Sequence, residues 1–516
     1  MRRICCCYAL FILLIFPGCV LAMETDEQSV RSLIILGLQE NLGLKIEKTD
    51  VARSEEAIIV EEAQFDALFF AKAQAEKTRT PYESTLSNIS ESKSEQYTGQ
   101  IGISRRLKSG LISSLALDSF WQSDNDTSDN LDPRYRTALT FSLTQPLLRD
   151  FGQDTNTTDL RIARNNLSQS ALKQRLQAQL LALQIELLSC QLAGESKIVE
   201  LQEEAVSLAK DLYSANQRRF DTGVIPVSEV QQAETELASR ELSLSEADQA
   251  RELNLSELNR QLNHSLPLDF PVSELYPFDA VLSLAELPSE QQLFDLARKK
   301  NLTLRLASID IDTTAIEQTF YRNQLKPQLD LNIQAGINGL SGKPRTSSVN
   351  SSYEGNWTDS FPSTIAADGY EWGIGIEFSL PLGNRAAKAK LNQAKLQHKQ
   401  TMYQQRDLEA ELRLSLQQQI INLRKAFEQV KIAERFVGLA KISLQQEERR
   451  LKEGLSDTFR IINFQVNMIN AKIGRINAMV QYFNSVAQMN FTRGIILEQH
   501  DINLTQVAEE NSLETL

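Results

Sequence analysis

The chain has little of what disulfide-stabilised proteins and cysteine enzymes need. It contains five cysteines among 516 residues, and Cys5, Cys6, Cys7 and Cys19 all lie near the N-terminus. Cys190 stands alone in the middle of a long segment of helical pattern. If the N-terminal segment that holds the other four is removed, a single thiol remains and no internal disulfide bond can form. We therefore interpret Cys190 as a small apolar residue at a helix contact.

Residues for catalysis and metal binding are scarce as well. The three histidines, His264, His398 and His500, are far apart. None has a cysteine, histidine or carboxylate at metal-ligand spacing on the same helical face. No phosphate-binding glycine loop and no nucleophile elbow occurs. The sequence therefore predicts a protein that is not an enzyme, uses no cofactor and binds no metal ion.

The first 22 residues have the pattern of a secretory signal peptide. Arg2 and Arg3 supply positive charge, residues 4–16 form an apolar core, and residues 20–22 provide a small-residue cleavage site. The apolar run is too short to span a bilayer comfortably as an anchor. A second interpretation is lipid attachment at Cys19, although the residues before it fit a bacterial lipobox poorly.

Positive charge and long apolar runs are both lacking in the rest of the chain. The net charge of −13 becomes about −15 without Arg2 and Arg3. Such an acidic balance argues against a nucleic-acid ligand, which requires a basic surface. No run of 18 or more apolar residues follows the signal segment. If the mature protein spans a membrane, it must therefore do so with strands.

Proline is absent from residues 156–218, and Gly194 is the one glycine there. A helix of that length would extend about 95 Å, more than a globular core requires. Its apolar residues recur at steps of three and four with one inserted stutter, which is typical of a coiled-coil seam. The predicted seam comprises Leu176, Leu180, Leu183, Leu187, Cys190, Gly194, Ile198, Leu201, Ala205, Leu208 and Leu212. A similar seam runs from Leu416 to Leu444.

Shorter stretches of period-two alternation indicate strands. They cover residues 98–103, 111–120, 135–143, 328–335 and 369–380. Polar loops are predicted at residues 122–133 and 338–368, and loops of that size are often functional or disordered. Residues 108–110 are predicted to form a hairpin turn. Residues 65–75 could form a further strand, so that an extra strand pair would lie in the first half of the chain.

The pattern of elements occurs twice. The sequence NLGLKI at residues 41–46 is echoed by NLTLRL at 301–306, and FSLTQPL at 141–147 by FSLPL at 378–382. RRFDTGV at 218–224 is echoed by RRLKEGL at 449–455. The spacing is too long for a solenoid repeat. It indicates two structural halves, each with a helix, strands, a long helix, a tight turn and a returning helix.

With these motifs the chain resembles the TolC-like outer-membrane efflux protein family over nearly all of its mature length. The most specific motifs are the turns with arginine four residues before glycine, Arg219 with Gly223 and Arg450 with Gly454. The resemblance implies an α+β membrane protein with a trimeric transmembrane β-barrel continued by a long periplasmic coiled-coil tunnel, and two internal repeats per protomer. It implies four strands per chain and twelve per trimer, so the extra strand pair would lie either in the barrel or in an extracellular projection. Trp121, Trp357 and Trp372 lie in or beside predicted strands, as in the aromatic girdles of membrane barrels.

The resemblance also implies boundaries. They are a signal peptide at 1–22, a first repeat at 23–264, a linker at 265–288, a second repeat at 289–494 and a tail at 495–516. The first repeat has barrel strands at 65–145, a long helix at 156–218, a turn at 219–226 and a return helix at 227–263. The second has a helix at 289–324, barrel strands at 328–380, a long helix at 385–451, a turn at 452–456 and a return helix at 457–493.

The implied function is an outer-membrane exit duct for efflux or type I secretion in a Gram-negative-type bacterium. The implied partners are two further copies of the chain, outer-membrane lipid, a periplasmic adaptor and an inner-membrane transporter of the RND, ABC or a similar class. The implied adaptor contacts are Arg219, Gly223, Val224, Ile225, Arg450, Gly454, Leu455 and Ser456. Specificity for drug, metal ion or polypeptide would reside mainly in the pump.

The candidate entrance residues are Glu229, Asp457, Arg460 and Asn463. Some family members carry acidic side chains six and nine residues past the second glycine, where this chain has Arg460 and Asn463. The sequence therefore predicts an entrance without the usual cation-selective acidic ring. The alternative interpretation of the whole chain is a periplasmic coiled-coil adaptor or scaffold whose strands form a soluble domain.

Overall fold

The computed structural model describes residues 29–81, 91–125, 130–268, 270–278, 289–346 and 352–503. The predicted signal segment, Cys19 and residues 504–516 of the predicted tail lie outside the described residues. The α-helices are α1 Val30–Glu40, α2 Leu42–Ala63, α3 Gln153–Asn156, α4 Thr158–Asp221, α5 Val227–Leu262, α6 Glu290–Lys300, α7 Leu302–Asn323, α8 Ser360–Ile365, α9 Arg385–Lys452, α10 Thr458–Thr492 and α11 Ile496–Gln499. The strands are β1 Ala67–Pro81, β2 Glu91–Arg106, β3 Ile112–Asp124, β4 Leu131–Pro146, β5 Gln328–Pro344 and β6 Gly369–Ser379.

All six strands form one antiparallel sheet in chain order, from β1 at one edge to β6 at the other. β2 and β3 are joined by a tight turn in which the Leu107 N–H donates to the Leu111 carbonyl at 2.8 Å. Gly110 has φ +92° in this turn, a conformation that favours glycine. The hairpin predicted at residues 108–110 is therefore present. The further strand considered at residues 65–75 also exists, as β1.

The two long helices, α4 with 64 residues and α9 with 68, form the centre of a helical wall. Near the sheet, four helices lie side by side in the order α2, α4, α7 and α9, each in contact with the next. Farther from the sheet, α5 and α10 take the places of α2 and α7. The wall is therefore four helices wide at both levels. No helix among the described residues is long and apolar enough to cross a membrane.

The main apolar core lies where the two levels of the wall meet. α1, α4, α5, α10 and α11 each contribute a side chain without solvent exposure, and these are Ile34, Ile185, Leu258, Met479 and Ile496. The segment after α5 covers this core with Tyr276, whose ring is tilted against Phe483, and Phe278, whose ring meets Phe483 edge-on. Cys190 is buried here too, and burial raises the pKa of its thiol far above the ordinary value. The thiol therefore stays neutral, as a contact residue would.

The predicted seam of α4 needs a correction. Cys190, Gly194 and Ala205 are buried as expected, but Leu208 is exposed and most of the seam leucines are only half-buried. The deepest positions are displaced from the seam and include Leu181, Ile185 and Leu192. The reason is that α4 has neighbours on two sides of the wall. It therefore buries a broad surface rather than a single narrow stripe.

The break predicted around Gly43 in the first helix is present and lies two residues earlier, at Asn41. α1 ends before Asn41, whose extended backbone (φ −61°, ψ 125°) begins α2. The Asn41 side chain accepts a hydrogen bond from the Leu44 N–H at 3.1 Å. Asn301 does the same for the Leu304 N–H at 2.9 Å. A capping asparagine, rather than glycine, divides both helices.

Both predicted loops are shorter than expected. β3 continues to Asp124 and β4 begins at Leu131, while β5 continues to Pro344 and α8 lies inside the predicted loop at 338–368. α8 lies across the sheet, where the Thr137 hydroxyl donates to the Ser360 carbonyl at 2.8 Å. A side chain at Gly339 would collide with the α8 backbone, 2.3 Å from the Thr364 nitrogen. Polar and glycine residues occur at these ends of β4 and β5 because α8 packs closely on them.

Candidate functional site

Each long helix ends in the same backbone turn. We name residues 219–226 the first tip and residues 450–457 the second tip. The Val224 N–H donates to the Arg219 carbonyl at 2.9 Å, and the Leu455 N–H donates to the Arg450 carbonyl at 2.8 Å. Both glycines have φ +74°, and both turns are Schellman motifs. In each turn the arginine is therefore the first member of the hydrogen-bonded loop, and the glycine is the residue just before its last member.

The tips present apolar side chains to solvent at the far end of the helical wall. Val224 is 66% exposed and Leu455 is 64% exposed. Arg219, Gly223, Arg450 and Gly454 are also exposed, and Ser456 is half-buried. Ile225 differs because it is only 9% exposed. It therefore packs inside the first tip and offers little surface to a partner.

The helices on either side of the first tip are bonded to the beginning of α10. Sequence reasoning named Glu229 among these residues and missed Asn216 and Thr458. Asn216 is 1% exposed, and its Nδ2 donates to the Thr458 Oγ1 at 3.0 Å and to the Glu229 carbonyl at 3.3 Å. The Thr458 hydroxyl donates to the Glu229 Oε2 at 2.8 Å. We name Asn216, Glu229 and Thr458 the tip cluster. The candidate entrance residue Glu229 is thus held by α10 rather than pointing freely into an opening.

The second tip is held by a buried carboxylate on its own helix. Glu447 is 4% exposed. Its carboxylate accepts a hydrogen bond from the Ser456 hydroxyl at 2.5 Å and forms an ion pair with the Arg450 Nη1 at 3.3 Å. In the sequence, Glu447 resembles any other charged residue on a solvated helix. The one signal that could have found it is its position seven residues before Gly454.

The other entrance candidates are exposed at the start of α10. Asp457 caps the helix by accepting from the Arg460 N–H at 2.9 Å, and its carboxylate lies 3.8 Å from the Arg460 Nε. The Asn463 amide donates to the Phe459 carbonyl at 2.9 Å. Asp457 therefore faces a basic neighbour. Among the described residues, no three His, Cys, Asp or Glu side chains gather as a metal site would require.

The sheet has two chemically different faces. Because cross-strand partners point to the same side, the register assigns every side chain to one face. The apolar face carries Phe69, Ile101, Ile103, Leu115, Leu117, Leu139, Phe141, Ile333, Ile337, Tyr370, Trp372, Ile374 and Ile376. Many of these are largely exposed, for example Trp372 at 72%. An exposed apolar surface of this extent marks an interaction surface.

The opposite, polar face forms a shallow depression across all six strands. Its lining includes Lys72, Gln74, Thr98, Gln100, Ser114, Asp118, Arg136, Thr140, Ser142, Gln334 and Glu371, with Phe70 and Phe120 among them. Hydroxyl side chains and charged side chains of both signs are mixed there, which suits contact with water. The sheet is therefore apolar on one side and hydrophilic on the other.

Both edges of the sheet lack a partner strand within the described chain. β1 pairs only with β2, and β6 pairs only with β5. β1 is 15 residues long and β6 is 11 residues long. Long unpaired edges expose a row of backbone donors and acceptors that another strand can bind.

A strand meander joined to a long helical wall, with helix turns at the far end, is the fold of outer-membrane channels. Solved structures with this fold match nearly the whole chain. OprN matches with a TM-score of 0.66 and 14% identity, over 91% of this chain and 90% of that chain. CmeC of Campylobacter jejuni gives 0.65 and 15%, over 94% and 89%. CusC gives 0.62 and 13%, over 91% and 92%.

The predicted resemblance to TolC-like outer-membrane efflux channels is therefore confirmed for the fold. No protein-family model matches this chain, and no curated protein is similar to it in sequence. The likeness lies in the arrangement of strands and helices rather than in residue identity.

Proposed function

We propose that this protein is a passive exit duct of the outer membrane, built from three copies, for efflux or type I secretion. The observation that carries the proposal is the single sheet with an apolar face, a polar face and two free edges. The duct performs no chemistry. Its energy comes from an inner-membrane pump that a periplasmic adaptor connects to the tips.

The two faces fit a membrane wall. In lipid every backbone donor and acceptor must be bonded, so an open sheet has to close with other strands. Three copies closing edge to edge would turn the apolar face toward lipid and the polar face toward an aqueous bore. A soluble adaptor would instead have to cover the apolar face with its own chain.

The four-helix wall is open at its sides as well, so three copies would enclose a tunnel below the barrel. The tips then lie at the periplasmic mouth. We assign adaptor contact to the exposed tip residues Arg219, Val224, Arg450 and Leu455. Gly223, Gly454 and Ser456 set their backbone, and Ile225 supports the first tip from inside.

Gating in this proposal is the separation of α4 and α5, at the ends that flank the first tip, from the start of α10. The tip cluster joins these elements through Asn216 and Thr458, so twisting the helices apart must break that bond. Adaptor docking on the tips would supply the binding energy for this change.

The proposal is tested first by fractionation. The protein should appear in outer-membrane fractions as a heat-modifiable trimer, and the purified trimer should conduct ions across a planar bilayer. A chain that is released with the periplasm, or found with the inner membrane, would instead be an adaptor or scaffold.

Substitution of Gly454 by leucine tests the tip assignment. The bulky side chain should abolish export of the compounds that accumulate when the gene is deleted, while the trimer still assembles. Gly454→Ala is the matched control, since it brings the same backbone strain with little bulk. Normal export by the Gly454→Leu trimer would show that the second tip does not contact the adaptor.

The entrance is tested by single-channel recording. Without an acidic ring at Arg460 and Asn463, divalent cations should block the current weakly. The variant Arg460→Asp should introduce stronger block from the side of the tips. Strong block of the unchanged channel that disappears on removal of one acidic ring near Arg460 contradicts the assignment.

A further inference from the structure

We infer that the barrel of this protein has eighteen strands, with all six strands of each copy in the wall and β6 of one copy paired to β1 of the next. The inference rests on the proposed function, because it presupposes three copies in a membrane. It goes beyond the resemblance, in which four strands per chain give a twelve-stranded barrel.

The strand count follows from the continuity of the sheet. The first half of the chain contributes β1 to β4 and the second half contributes β5 and β6, without a gap in the hydrogen-bonded order. The apolar face extends over the extra strands, since Phe69 of β1 is paired with Ile103 of β2 and Ile103 with Leu115 of β3. A hairpin outside the membrane would not need to continue that face.

The direction of the strands permits this closure. β1 leaves the helical wall and β6 returns to it, so β6 of one copy meets β1 of the next in the antiparallel sense. Every other neighbouring pair in the sheet is antiparallel too. An even number of strands per copy is what keeps this alternation intact around the ring.

The width of the helical wall supports six strands as well. Four helices spaced 8–10 Å apart occupy about 32–40 Å of circumference. Six strands spaced about 4.8 Å apart and tilted by about 42° occupy about 39 Å, whereas four occupy about 26 Å. The six-stranded sheet therefore has about the same width as the wall on which it stands.

The register between copies can be derived from the strand lengths and charges. Within one chain, Glu371 lies in the same cross-strand row as Phe70. In a closed, tilted barrel, Glu371 of one copy pairs not with Phe70 of the next copy but with a residue displaced along β1. Every residue of β6 finds a partner only if that displacement runs toward Pro81, the C-terminal end of β1. Displacements of about six or eight residues per copy give tilts of about 35° and 42°, both within the range of membrane barrels.

Charge decides between these two registers. The smaller displacement places Glu371 opposite Glu76, and like charges directly opposite destabilise a strand pair. The larger displacement places Glu377 opposite Lys72 on the polar face. Among the described residues of one chain, neither Glu377 nor Lys72 forms an ion pair. We therefore choose the register that pairs them between copies.

The consequence is a wide bore. Eighteen strands at this tilt enclose a backbone diameter of about 37 Å, against about 25 Å for twelve. An α-helix with side chains is about 10–12 Å across, so the barrel is not the part of the duct that limits the size of the cargo.

Disulfide trapping tests the inference in full-length protein carrying Cys190→Ala. Gly375→Cys combined with Gln74→Cys places two thiols opposite each other in the chosen register, and mild oxidation of outer membranes should give covalent dimers and trimers. The matched controls combine Gly375→Cys with Ser114→Cys, Ala116→Cys or Asp118→Cys on β3. These are the pairs that a four-stranded contribution, closing β6 on β3, would bring together.

The outcomes separate the inference from the proposed function. Cross-links through Gln74 support the eighteen-stranded barrel. Cross-links through β3 in an outer-membrane trimer overturn it and leave the duct intact, and so does a trimer that gives neither. A chain that forms no trimer in the outer membrane overturns both.

A charge exchange tests the register independently. Lys72→Glu and Glu377→Lys should each lower the dissociation temperature of the trimer, by about 2–4 °C, and the double variant should restore it. β1 and β6 are opposite edges of the sheet, about 24 Å apart in one copy, so only contact between copies explains such rescue. Additive losses in the double variant would refute the register.

Discussion

The first and second tips follow the same backbone path but are fixed by different side chains. In both, glycine at φ +74° closes a Schellman turn. The first tip is tied to a different part of the chain, since Asn216 reaches Thr458 at the start of α10. The second tip is tied to its own helix, since Ser456 and Arg450 both bind Glu447.

This difference assigns different tasks to similar turns. A tip that is bonded across elements must lose those bonds when the elements separate, whereas a tip bonded to its own helix can move with that helix as a unit. In the proposed gating, the first tip is therefore the lock and the second tip is a rigid contact. The following variants test that contrast.

The largest effect is expected from Glu447→Ala. The variant leaves Ser456 and Arg450 without their acceptor, and lost hydrogen bonds to a charged group cost about 2–3 kcal/mol. Hydrogen–deuterium exchange should accelerate in the second tip and remain unchanged in the first. Glu447→Gln is the control, because its amide oxygen still accepts from Ser456. Equal loosening of both tips would show that they are not independent.

Compared with Glu447→Ala, Asn216→Ala should destabilise the protein less but increase the opening of the channel more. The variant removes the bond to Thr458 and costs about 1–2 kcal/mol, while Thr458 keeps its bond to Glu229. In a planar bilayer without the adaptor protein, the purified Asn216→Ala trimer should open more often than the unchanged trimer. The control is Asn463→Ala, which removes a local helix contact nearby. Unchanged opening by the Asn216 variant would exclude the tip cluster as the lock.

Gly223→Ala and Gly454→Ala should lower the stability of the protein equally, because the two turns share the same backbone conformation. Nothing lies within 4 Å of a side chain added at Gly223 or Gly454. The cost is therefore the left-handed backbone alone, about 1 kcal/mol at each. Gly474, inside α10 and equally open, should give the opposite sign, a gain of about 0.5–1 kcal/mol. Thermal unfolding of the three variants measures this.

The smallest effect concerns a carboxylate far from both tips, at the end of α5. Hydrogen bonds from Arg260 and Gln261 lower the pKa of Glu257 to about 2. A lowered pKa stabilises the fold at pH values above the unfolded value of 4.5, and this stabilisation disappears as pH falls toward 2. The group is exposed, so the change should be slight. Titration of Glu257→Gln against the unchanged chain by thermal unfolding isolates it, and both tips should be unaffected.

Much of the fold could be predicted from the positions of glycine and proline and from the spacing of apolar residues, since these largely determine local structure. The absence of proline and the positions of Gly223 and Gly454 placed the long helices and both turns within a few residues. The helix break predicted around Gly43 lies two residues earlier because the side chain of Asn41 caps α2, and a capping side chain is a weaker sequence signal than glycine. The polar end of β5 looked like loop because α8 packs on it, and the alternation pattern of the strand does not show that contact.

The candidate site was predictable only in part. Exposed tip residues such as Val224 and Leu455 follow from their place beside the glycines. Glu447 and Asn216 did not stand out, since a polar residue on a long helix is usually solvated and burial is decided by a partner element. The displaced seam of α4 has the same cause: periodicity gives the spacing of contacts, while the number of neighbours decides which residues become deepest.

The lengths of the strands carry one more consequence. β4 and β5 have 16 and 17 residues, whereas about 9–11 tilted residues cross a bilayer. The surplus lies at the ends far from the helices, where α8 and Trp357 cover the outside. The duct would thus rise about 15 Å above the lipid as a stiff collar. In the proposed duct, this collar, covered by α8, would be the part of the molecule exposed to the medium outside the cell.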